Sequence, residues 1–423
     1  MRRLRGAGRV LLASMIGTTI EFFDFYIYAT AAVLVFPQEF FAAGDQAAAV
    51  LQSLATFALA FFARPVGSVL FGHFGDRIGR KKTLVASLMT MGLSTMFIGL
   101  LPTYASIGVF APLSLCLCRF GQGLGLGGEW GGAVLLAVEN APAGRRALYG
   151  MFPQLGAPLG FICSTGVFLL LTDHLTDDEF LSYGWRIPFV ASAALVVIGL
   201  YVRLRLAETP AFTRAMANNE RVRVPAFTLW LHHPGTVLLG SFAAVATFVV
   251  FYLMTVFSLS WAIAAFNFPR RDFLLLQMIG VLFFALTIPI SAAAADRYGR
   301  YRVLIAATLG IMLYGLIFGR LLGSGSTAAI LLFLCSGFFL MGLTYGPLGT
   351  ALTELYPTAV RYSGASLSFN LAGILGASLA PYIAMTLARH YGVAAAGYYL
   401  TAAGLVTLVA LSVLGARFGQ GAR

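Results

Sequence analysis

Residues 72–82 read GHFGDRIGRKK and lie between two long apolar runs. Residues 296–302, in the second half of the 423-residue chain, read DRYGRYR and lie in the same setting. Glycines beside such charges permit tight turns between helices. A charged loop repeated at corresponding places is typical of a membrane protein built from two similar halves. Carriers that rock one half against the other are organised in this way.

The composition indicates a chain that lies in a membrane. Hydrophobic residues make up 59% of the sequence and charged residues 10%, whereas a soluble domain carries roughly 25% charged residues. The many apolar runs predict an all-α polytopic membrane protein with about twelve transmembrane helices in two pseudo-symmetric six-helix bundles. The predicted spans are 10–36, 49–71, 83–101, 107–138, 148–171, 187–206, 235–262, 272–294, 303–322, 328–351, 364–388 and 394–416.

The predicted domains are an N-terminal bundle, 1–206, a cytoplasmic linker, 207–234, and a C-terminal bundle, 235–423. The linker is the one sizeable polar interval in the sequence. A second repeat supports the division, because a glutamate, a proline and an arginine keep the same spacing after the fourth span of each half. The two glutamate–arginine pairs are Glu139 with Arg146 and Glu354 with Arg361.

The positions of the basic residues predict the topology. Most of the 28 Lys and Arg residues fall in loops on one side of the predicted spans. By the positive-inside rule, this asymmetry predicts a multi-pass protein of the bacterial inner membrane with both termini in the cytoplasm. The net charge of +12 is therefore interpreted as a topology signal and not as a nucleic-acid surface. The basic N-terminus resembles a signal peptide, but Glu21 and Asp24 interrupt its apolar stretch, which favours an uncleaved first span.

Several classes of site find no support in the sequence. The four cysteines have no metal-ligand or redox spacing, and the five histidines form no cluster. We find no phosphate-binding loop and no Ser-His-Asp arrangement. We therefore expect no enzyme activity, no metal and no cofactor other than a proton as the coupling ion. The expected partners are a small organic metabolite and the lipid bilayer, with no nucleic acid, and the expected state is a monomer.

Several motifs carry a family resemblance. The 72–82 loop resembles the signature loop between spans two and three of the major facilitator superfamily. Further stretches resemble its metabolite:proton symporter family, and those at 127–132 and 176–189 are similar to shikimate-type carriers. The resemblance implies the major facilitator fold and transport by alternating access. The stretches are EFFDFY at 21–26, RPVG at 64–67, RFGQG at 119–123, GGE at 127–129, WRIPF at 185–189, ETP at 208–210, and 354–364.

Five ionisable residues fall inside predicted spans, where each costs at least about 2.5 kcal/mol unless it faces a partner or a wet cavity. Glu21 and Asp24 are three residues apart, about 60° around one helix, and Tyr28 continues that face. Two close carboxylates rarely both stay ionised, so this pair predicts a proton-coupling site. The alternative is that each carboxylate pairs with an arginine of a neighbouring helix. The candidates for proton coupling are Asp24, Glu21, Arg119 and Glu129.

Arg64 presents a planar fork suited to a substrate carboxylate, and the resemblance associates its position with substrate recognition. Arg119 and Gln122 match the superfamily's fourth-span signature, which is associated with proton coupling. Glu129 lies among glycines that indicate a close helix-packing seam. The second half offers aromatic and amide groups in place of charges. The candidates for substrate binding are Arg64, Gln122, Tyr28, Tyr252, Gln277, Tyr345 and Asn370.

The repeated loops predict a conformational latch. Asp76 and Asp296 can each cap the N-terminus of a neighbouring helix, as the family pattern implies. The second copy has Ala294 and Ala295 where the first has Phe74 and Gly75, which predicts a weaker latch. The latch candidates are Gly72, Asp76, Arg77, Gly79, Arg80, Asp296, Arg297, Arg300, Glu139, Arg146, Glu354 and Arg361.

These patterns predict a proton-coupled symporter that imports a small organic acid or zwitterion. A shikimate-like monocarboxylate is favoured, because two buried arginines facing three carboxylates leave little spare positive charge. The alternative is a proton-coupled antiporter that exports a drug or metabolite. It rests on the glycine–proline run GAPLG at 156–160, which resembles a seam of exporters in the same superfamily.

Overall fold

The structure is a computed structural model that describes residues 2–42, 44, 46–78, 80–204, 229, 231–357 and 360–418. Side chains are described in the same ranges except at 2–7, 9, 72–78, 80–84, 202 and 203. Within these ranges every regular element is a helix and there are no strands, so the prediction of an all-α fold is confirmed. Most of the predicted linker, 207–228 and 230, lies outside the described residues, and the domain boundaries stay predictions.

The helices agree with the twelve predicted spans. Nine helices in the described ranges are long and apolar enough to cross a membrane. The number is ten when the bent pair Asp177–Gly184 and Arg186–Tyr201 is counted as one span, the sixth. The third and fourth spans complete the series of twelve. The helices are α1 Arg2–Leu34, α2 Gln46–Ile78, α3 Arg80–Leu100, α4 Phe110–Gly127 with Trp130–Glu139, α5 Arg146–His174, α6 Arg186–Leu204, α7 Pro234–Phe266, α8 Arg270–Tyr298, α9 Arg300–Leu322, α10 Thr327–Thr353, α11 Arg361–Tyr391 and α12 Ala394–Phe418.

Three spans depart from the predicted continuous helix. The fourth is broken at Gly128 and Glu129, between the two helices of α4. In α7 a π-helical turn occupies Leu253–Phe257, and in α11 another occupies Ile374–Ser378. Such wide turns occur frequently at functional sites. The hydrophobic pattern could not predict them, because breaks and wide turns inside a membrane depend on partners from neighbouring helices.

The glycines of α4 allow its backbone to touch that of α2. A Cβ atom on Gly127 would lie 2.0 Å from the carbonyl oxygen of Arg64, and one on Gly123 would lie 2.3 Å from that of Ala60. Side chains at these positions would force the helices apart. The packing-seam interpretation of this run is therefore confirmed.

The glycine–proline run of α5 has a similar packing role. A Cβ atom on Gly156 would lie 2.1 Å from the hydroxyl oxygen of Thr18, and one on Gly160 would lie 2.8 Å from the backbone nitrogen of Phe23. Close contact between α5 and α1 therefore accounts for these glycines without an exporter-specific role.

The two halves of the chain meet along several helix pairs. Helix α5 packs against α8 and α10, and α2 packs against α11. These contacts bring side chains from the middle of α1, α2, α7 and α10 to a common interface.

Candidate functional site

Five buried polar side chains from both halves form a central cluster: Glu21 and Tyr26 on α1, Arg64 on α2, Tyr252 on α7 and Tyr345 on α10. Their exposed fractions are between 3% and 5%. The Arg64 guanidinium interacts electrostatically with the other four members. The cluster therefore combines a cation, a carboxylate and three phenols at the interface between the halves.

Aromatic rings surround the cluster. The Tyr252 ring lies 5.4 Å from Phe57 and 5.6 Å from Phe61, measured between ring centroids. The guanidinium carbon of Arg64 lies 4.6 Å from the centroids of both Phe25 and Phe61. Its Nε atom is buried and has no hydrogen-bond partner among the described residues. The guanidinium thus packs against two aromatic ring faces in addition to its interaction with Glu21.

A cross-half network adjoins the cluster, and sequence reasoning missed it. Trp130 donates from Nε1 to Oε1 of Gln154 at 3.0 Å, and Gln154 donates from Nε2 to the Tyr345 carbonyl at 3.0 Å. The Trp130 ring stacks on Phe369 of α11, with 3.7 Å between centroids. The available signal was a Trp and a Gln inside apolar spans, but their partners lie far away in sequence.

A second polar group lies inside the first half and is called the Asp24 network: Asp24, Thr95, Arg119, Gln122 and Ser192. All five side chains are buried, with exposed fractions of 0–1%. Arg119 donates from Nη1 to Oε1 of Gln122 at 2.9 Å, and Gln122 donates from Nε2 to the Thr95 hydroxyl at 2.8 Å. The Asp24 carboxyl interacts with the hydroxyls of Thr95 and Ser192. Even so, neither of its oxygens has a partner at hydrogen-bonding geometry among the described residues.

The structure gives the two carboxyl groups of α1 different surroundings, although the sequence places them on one face. Glu21 interacts with Arg64 and Tyr345 of the central cluster, whereas Asp24 faces the hydroxyls of α3 and α6. The expectation that they form one coupled pair is corrected accordingly. A 60° separation on a tightly packed helix is enough to direct side chains to different neighbours.

Two predicted substrate ligands lie in the interior of the first half. The Tyr28 hydroxyl bonds to Thr56 at 2.8 Å, and the Arg119 guanidinium covers the Tyr28 ring at 4.0 Å. Gln122 is the link between Arg119 and Thr95 described above. These contacts supply Tyr28 and Gln122 with partners from their own half, and neither side chain belongs to the central cluster.

Two substrate-binding candidates of the second half also donate hydrogen bonds from their amide groups to other groups of the protein. Gln277 donates from Nε2 to the carbonyls of Met254 and Thr255, at 3.1 and 2.7 Å, within the π-helical turn of α7. Asn370 donates from Nδ2 to the Ser68 hydroxyl at 2.7 Å, across the interface. Both side chains therefore stabilise helix geometry or the contact between the halves.

Glu129 lies at the break in α4, and its Oε1 accepts a hydrogen bond from the Ser87 hydroxyl at 2.7 Å. Arg119 and Glu129 thus have separate hydrogen-bonding partners, as their spacing along the helix predicts.

Latch residues meet at one end of the interface, which we call the hinge face: Arg146, Asp296, Arg300 and Glu354. The two carboxylate oxygens of Asp296 accept from the backbone N–H groups of Ala147 and Leu148, at 2.9 and 3.0 Å, in the first turn of α5. Glu354 pairs with Arg146 of the first half at 3.2 Å and also with Arg300. Gly299 has φ +94°, so the second loop turns at a position that favours glycine.

The remaining latch candidates are less informative. Glu139 is exposed, Arg361 donates to the Tyr356 carbonyl at 3.1 Å, and Arg297 lies 5.2 Å from the Tyr298 ring. The first signature copy falls outside the described side chains, and its role stays a prediction. Its candidates are Gly72, Asp76, Arg77, Gly79 and Arg80.

Ion pairs also join the halves at the other end, the opposite face: Asp173, Asp177, Arg270 and Arg271. Arg270 pairs with Asp177 at 3.2 Å, and Arg271 pairs with Asp173 at 2.7 Å. The halves thus touch at both ends of their interface, and the side chains of the central cluster between them are buried. Among the described residues, no three His, Cys, Asp or Glu side chains come together in a metal-binding group.

Comparison with known proteins identifies the family. Residues 14–381 match the family model of the Major Facilitator Superfamily. The chain belongs to this superfamily. It is 56% identical to the inner membrane metabolite transport protein YhjE of Escherichia coli K12, over 96% of this chain and 94% of that protein. It is 36% identical to the shikimate transporter of the same organism, over 92% and 89% of the two chains.

Solved structures support the fold. A partially occluded inward-open conformation of the xylose transporter XylE from E. coli matches with a TM-score of 0.74 at 16% identity, covering 97% of both chains. The family model and the relatives confirm the predicted family resemblance. This superfamily member is a multi-span membrane protein and a metabolite transporter. Because its relatives are named transport proteins, the prediction that it is not an enzyme is confirmed as well.

Proposed function

We propose that the protein is a proton-coupled symporter that imports a small organic acid or zwitterion. The observation that carries this proposal is the central cluster, in which a buried arginine, a carboxylate and three phenols from both halves meet in one place. Charged groups inside a membrane bundle are costly and mark solute or ion pathways. Binding between two halves that rock against each other fits a site at their interface.

Two buried carboxyl groups supply the coupling. A proton on Asp24 or Glu21 removes one negative charge from the interior, which lets the loaded carrier reorient. Of the two, Asp24 is the better coupling candidate. Both of its oxygens are buried without a hydrogen-bond partner in the described part of the chain, a situation that favours the neutral form. Glu21 instead lies where a solute held by Arg64 would interact with it.

The chemistry of the cluster favours a monocarboxylate. Arg64 presents a planar fork whose Nε donor has no hydrogen-bond partner among the described residues, and such a fork suits one carboxylate. Glu21 already interacts with this cation, so a second negative group on the solute would lack compensation. Phenols from three helices offer hydroxyl groups to a polyhydroxylated solute such as shikimate, and a relative is named as a shikimate transporter.

The proposal includes a location and an orientation. The protein acts in the bacterial inner membrane, as the name of one relative suggests. Its hinge face and both termini lie in the cytoplasm, in accordance with the basic loops. It works as a monomer, and the proton is its coupling ion.

The test is solute uptake into proteoliposomes with an alkaline interior, using a panel of labelled organic acids and zwitterions that begins with shikimate. We expect accumulation of a monocarboxylate, and we expect a protonophore to collapse it. Accumulation that persists with the protonophore would contradict proton coupling. Extrusion of solute in exchange for protons that enter down the gradient would instead establish the antiporter alternative.

A further inference from the structure

Gln154 on α5 has an amide group whose orientation is fixed by both of its partners. An indole N–H can only donate a hydrogen bond, and a backbone carbonyl can only accept one. The Gln154 oxygen therefore faces Nε1 of Trp130 and its NH₂ group faces the Tyr345 carbonyl, with 3.0 Å in each bond. All three side chains are buried, with exposed fractions of at most 4%. The two bonds connect the first half of the chain to the second.

These bonds lie on the hinge-face side of the molecule's centre. Gln154 follows Arg146 by eight residues, or about 12 Å along α5, and Tyr345 precedes Glu354 by nine residues, or about 14 Å along α10. Because Arg146 and Glu354 pair at the hinge face, Gln154 and Tyr345 lie at a similar distance above it.

Packed rings connect Tyr345 to the other phenols of the central cluster. The Tyr345 ring lies 5.6 Å from Phe284 of α8, and the Phe284 ring lies 5.8 Å from Phe251 of α7, measured between centroids. The Phe251 ring in turn lies 5.4 Å from Tyr26 and 5.1 Å from Tyr252. The place of Tyr345 in the cluster therefore depends on how closely α10 approaches the first half.

Trp130 contacts the second half in a second way. It is the first residue after the break in α4, and its ring lies nearly parallel to that of Phe369 on α11, with 3.7 Å between centroids and 6° between planes. The break is also contacted from α11, because the Tyr362 hydroxyl donates to the Gly128 carbonyl. The indole is thus held in a closed contact between the halves, where its N–H relies on Gln154 as acceptor.

We propose that Gln154 and Trp130 are positioning residues for the solute site. Gln154 holds Tyr345 of the second half beside the first half, and Trp130 ties the same amide to the contact with α11. The site is complete only while the hinge side is closed, and the solute is held less tightly once that side opens. The inference rests on the proposed binding of solute at the central cluster and adds two residues to it.

The first measurement is thiol labelling of Val134→Cys in the purified full-length protein, without solute and without the four native cysteines. Val134 is fully buried, and a Cβ atom on Gly349 of α10 would lie 3.1 Å from its side chain, so this position becomes accessible when the halves part. Gln154→Leu leaves the Trp130 N–H unpaired, and Trp130→Phe leaves the Gln154 oxygen unpaired. Each should label roughly fivefold faster than the parent.

The double variant Trp130→Phe/Gln154→Leu separates a specific bond from general packing. Removing both partners of a buried hydrogen bond costs less than leaving one of them unpaired. We therefore expect the double variant to label more slowly than either single variant. If the two residues only filled space, their effects would add.

The second measurement is KM for the solute identified by the uptake panel. Gln154→Leu and the double variant both lose the bond to Tyr345, so KM should rise roughly fivefold in both, because the site is less preorganised. Trp130→Phe keeps that bond, and its KM should stay closer to that of the parent. A parental KM in the double variant would overturn the positioning role.

Gln277→Leu is the matched control, because it removes a buried amide whose bonds run to Met254 and Thr255 within the second half. Its labelling rate should equal that of the parent. Parental labelling in both single variants, or a double variant that labels faster than either, overturns the inference. Because labelling needs neither solute nor a gradient, a failure of symport in proteoliposomes would be seen separately.

Discussion

At the residue scale, Asp24 and Glu21 can be separated by experiment because their surroundings differ. Asp24→Asn fixes a neutral side chain at the proposed coupling site. We expect it to abolish solute accumulation driven by a pH gradient and to preserve exchange of labelled solute between equal pools. Both rates can be measured in the same proteoliposomes. Full accumulation by this variant would exclude Asp24 as the coupling group.

Arg64 should depend on its shape as well as its charge. Arg64→Lys keeps the cation but loses the planar fork that binds a carboxylate through two bonds. We expect KM for the solute to rise at least about tenfold, or about 1.4 kcal/mol. Arg320→Lys changes an exposed arginine of α9 and should leave KM unchanged. An unaltered KM in Arg64→Lys would remove Arg64 from the binding site.

The sequence predicted the buried charges of both sites, because any ionisable residue inside an apolar span is conspicuous. It could not predict their partners. Ser192 and Thr95 are ordinary hydroxyls among many in apolar helices, and the significance of Gln154 depends on Trp130 and Tyr345, which lie on other helices. The sequence predicts Tyr28 and Gln122 as substrate ligands for the same reason, since it does not show which way a buried side chain points.

At the element scale, α8 supports the wide turn of α7. Gln277→Leu would leave the carbonyls of Met254 and Thr255 without their donor, at a cost of about 1–3 kcal/mol for each buried group. We expect a lower midpoint of thermal unfolding in detergent and little change in KM.

Gln52→Leu, at an exposed position of α2, is the control for the removal of an amide and should not lower that midpoint. A raised KM with unchanged stability in Gln277→Leu would instead support the prediction that Gln277 is a substrate ligand.

The glycine runs show why some element features are accessible from sequence and others are not. The repeated glycines of α4 predicted close packing, and the 2.0 Å approach of a Gly127 Cβ to the Arg64 carbonyl shows how tight it is. The break at Gly128 and Glu129 was not predicted, because apolar periodicity continues through it. The end of a helical segment inside the membrane is set by the partners that satisfy its backbone.

At the scale of the whole molecule, the hinge face should control the opening of one side. Asp296→Asn removes the negative charge that caps α5, an interaction worth about 1 kcal/mol. We expect a roughly fivefold higher population with the hinge face open. The measurement is the labelling rate of Ala147→Cys, a fully buried reporter at the start of α5, in a background without the four native cysteines.

Asp178→Asn is the control, since Asp178 is an exposed aspartate away from the hinge face. It should leave the labelling rate unchanged. Equal rates in Asp296→Asn and the parent protein would show that the cap does not hold this face closed. The prediction that the second signature copy forms the weaker latch can be tested in the same way, by comparing Asp296→Asn with Asp76→Asn.

The organisation of the molecule in two halves could be predicted from the sequence, because two charged loops of the first half each recur in the second half. The ion pairs of the opposite face were not predicted, because no repeated motif in the sequence links Asp173 and Asp177 to Arg270 or Arg271. Contacts between the halves depend on the conformation as well as on the fold, and a single sequence encodes several conformations.

The most direct test of the central claim is the proton movement that accompanies solute entry. Proteoliposomes without an imposed gradient receive the solute identified by the uptake panel, and a pH electrode follows the medium. Symport predicts that the medium becomes alkaline as protons enter with the solute, and that Asp24→Asn shows no such change. Acidification of the medium, or solute entry without any change in pH, would contradict the account.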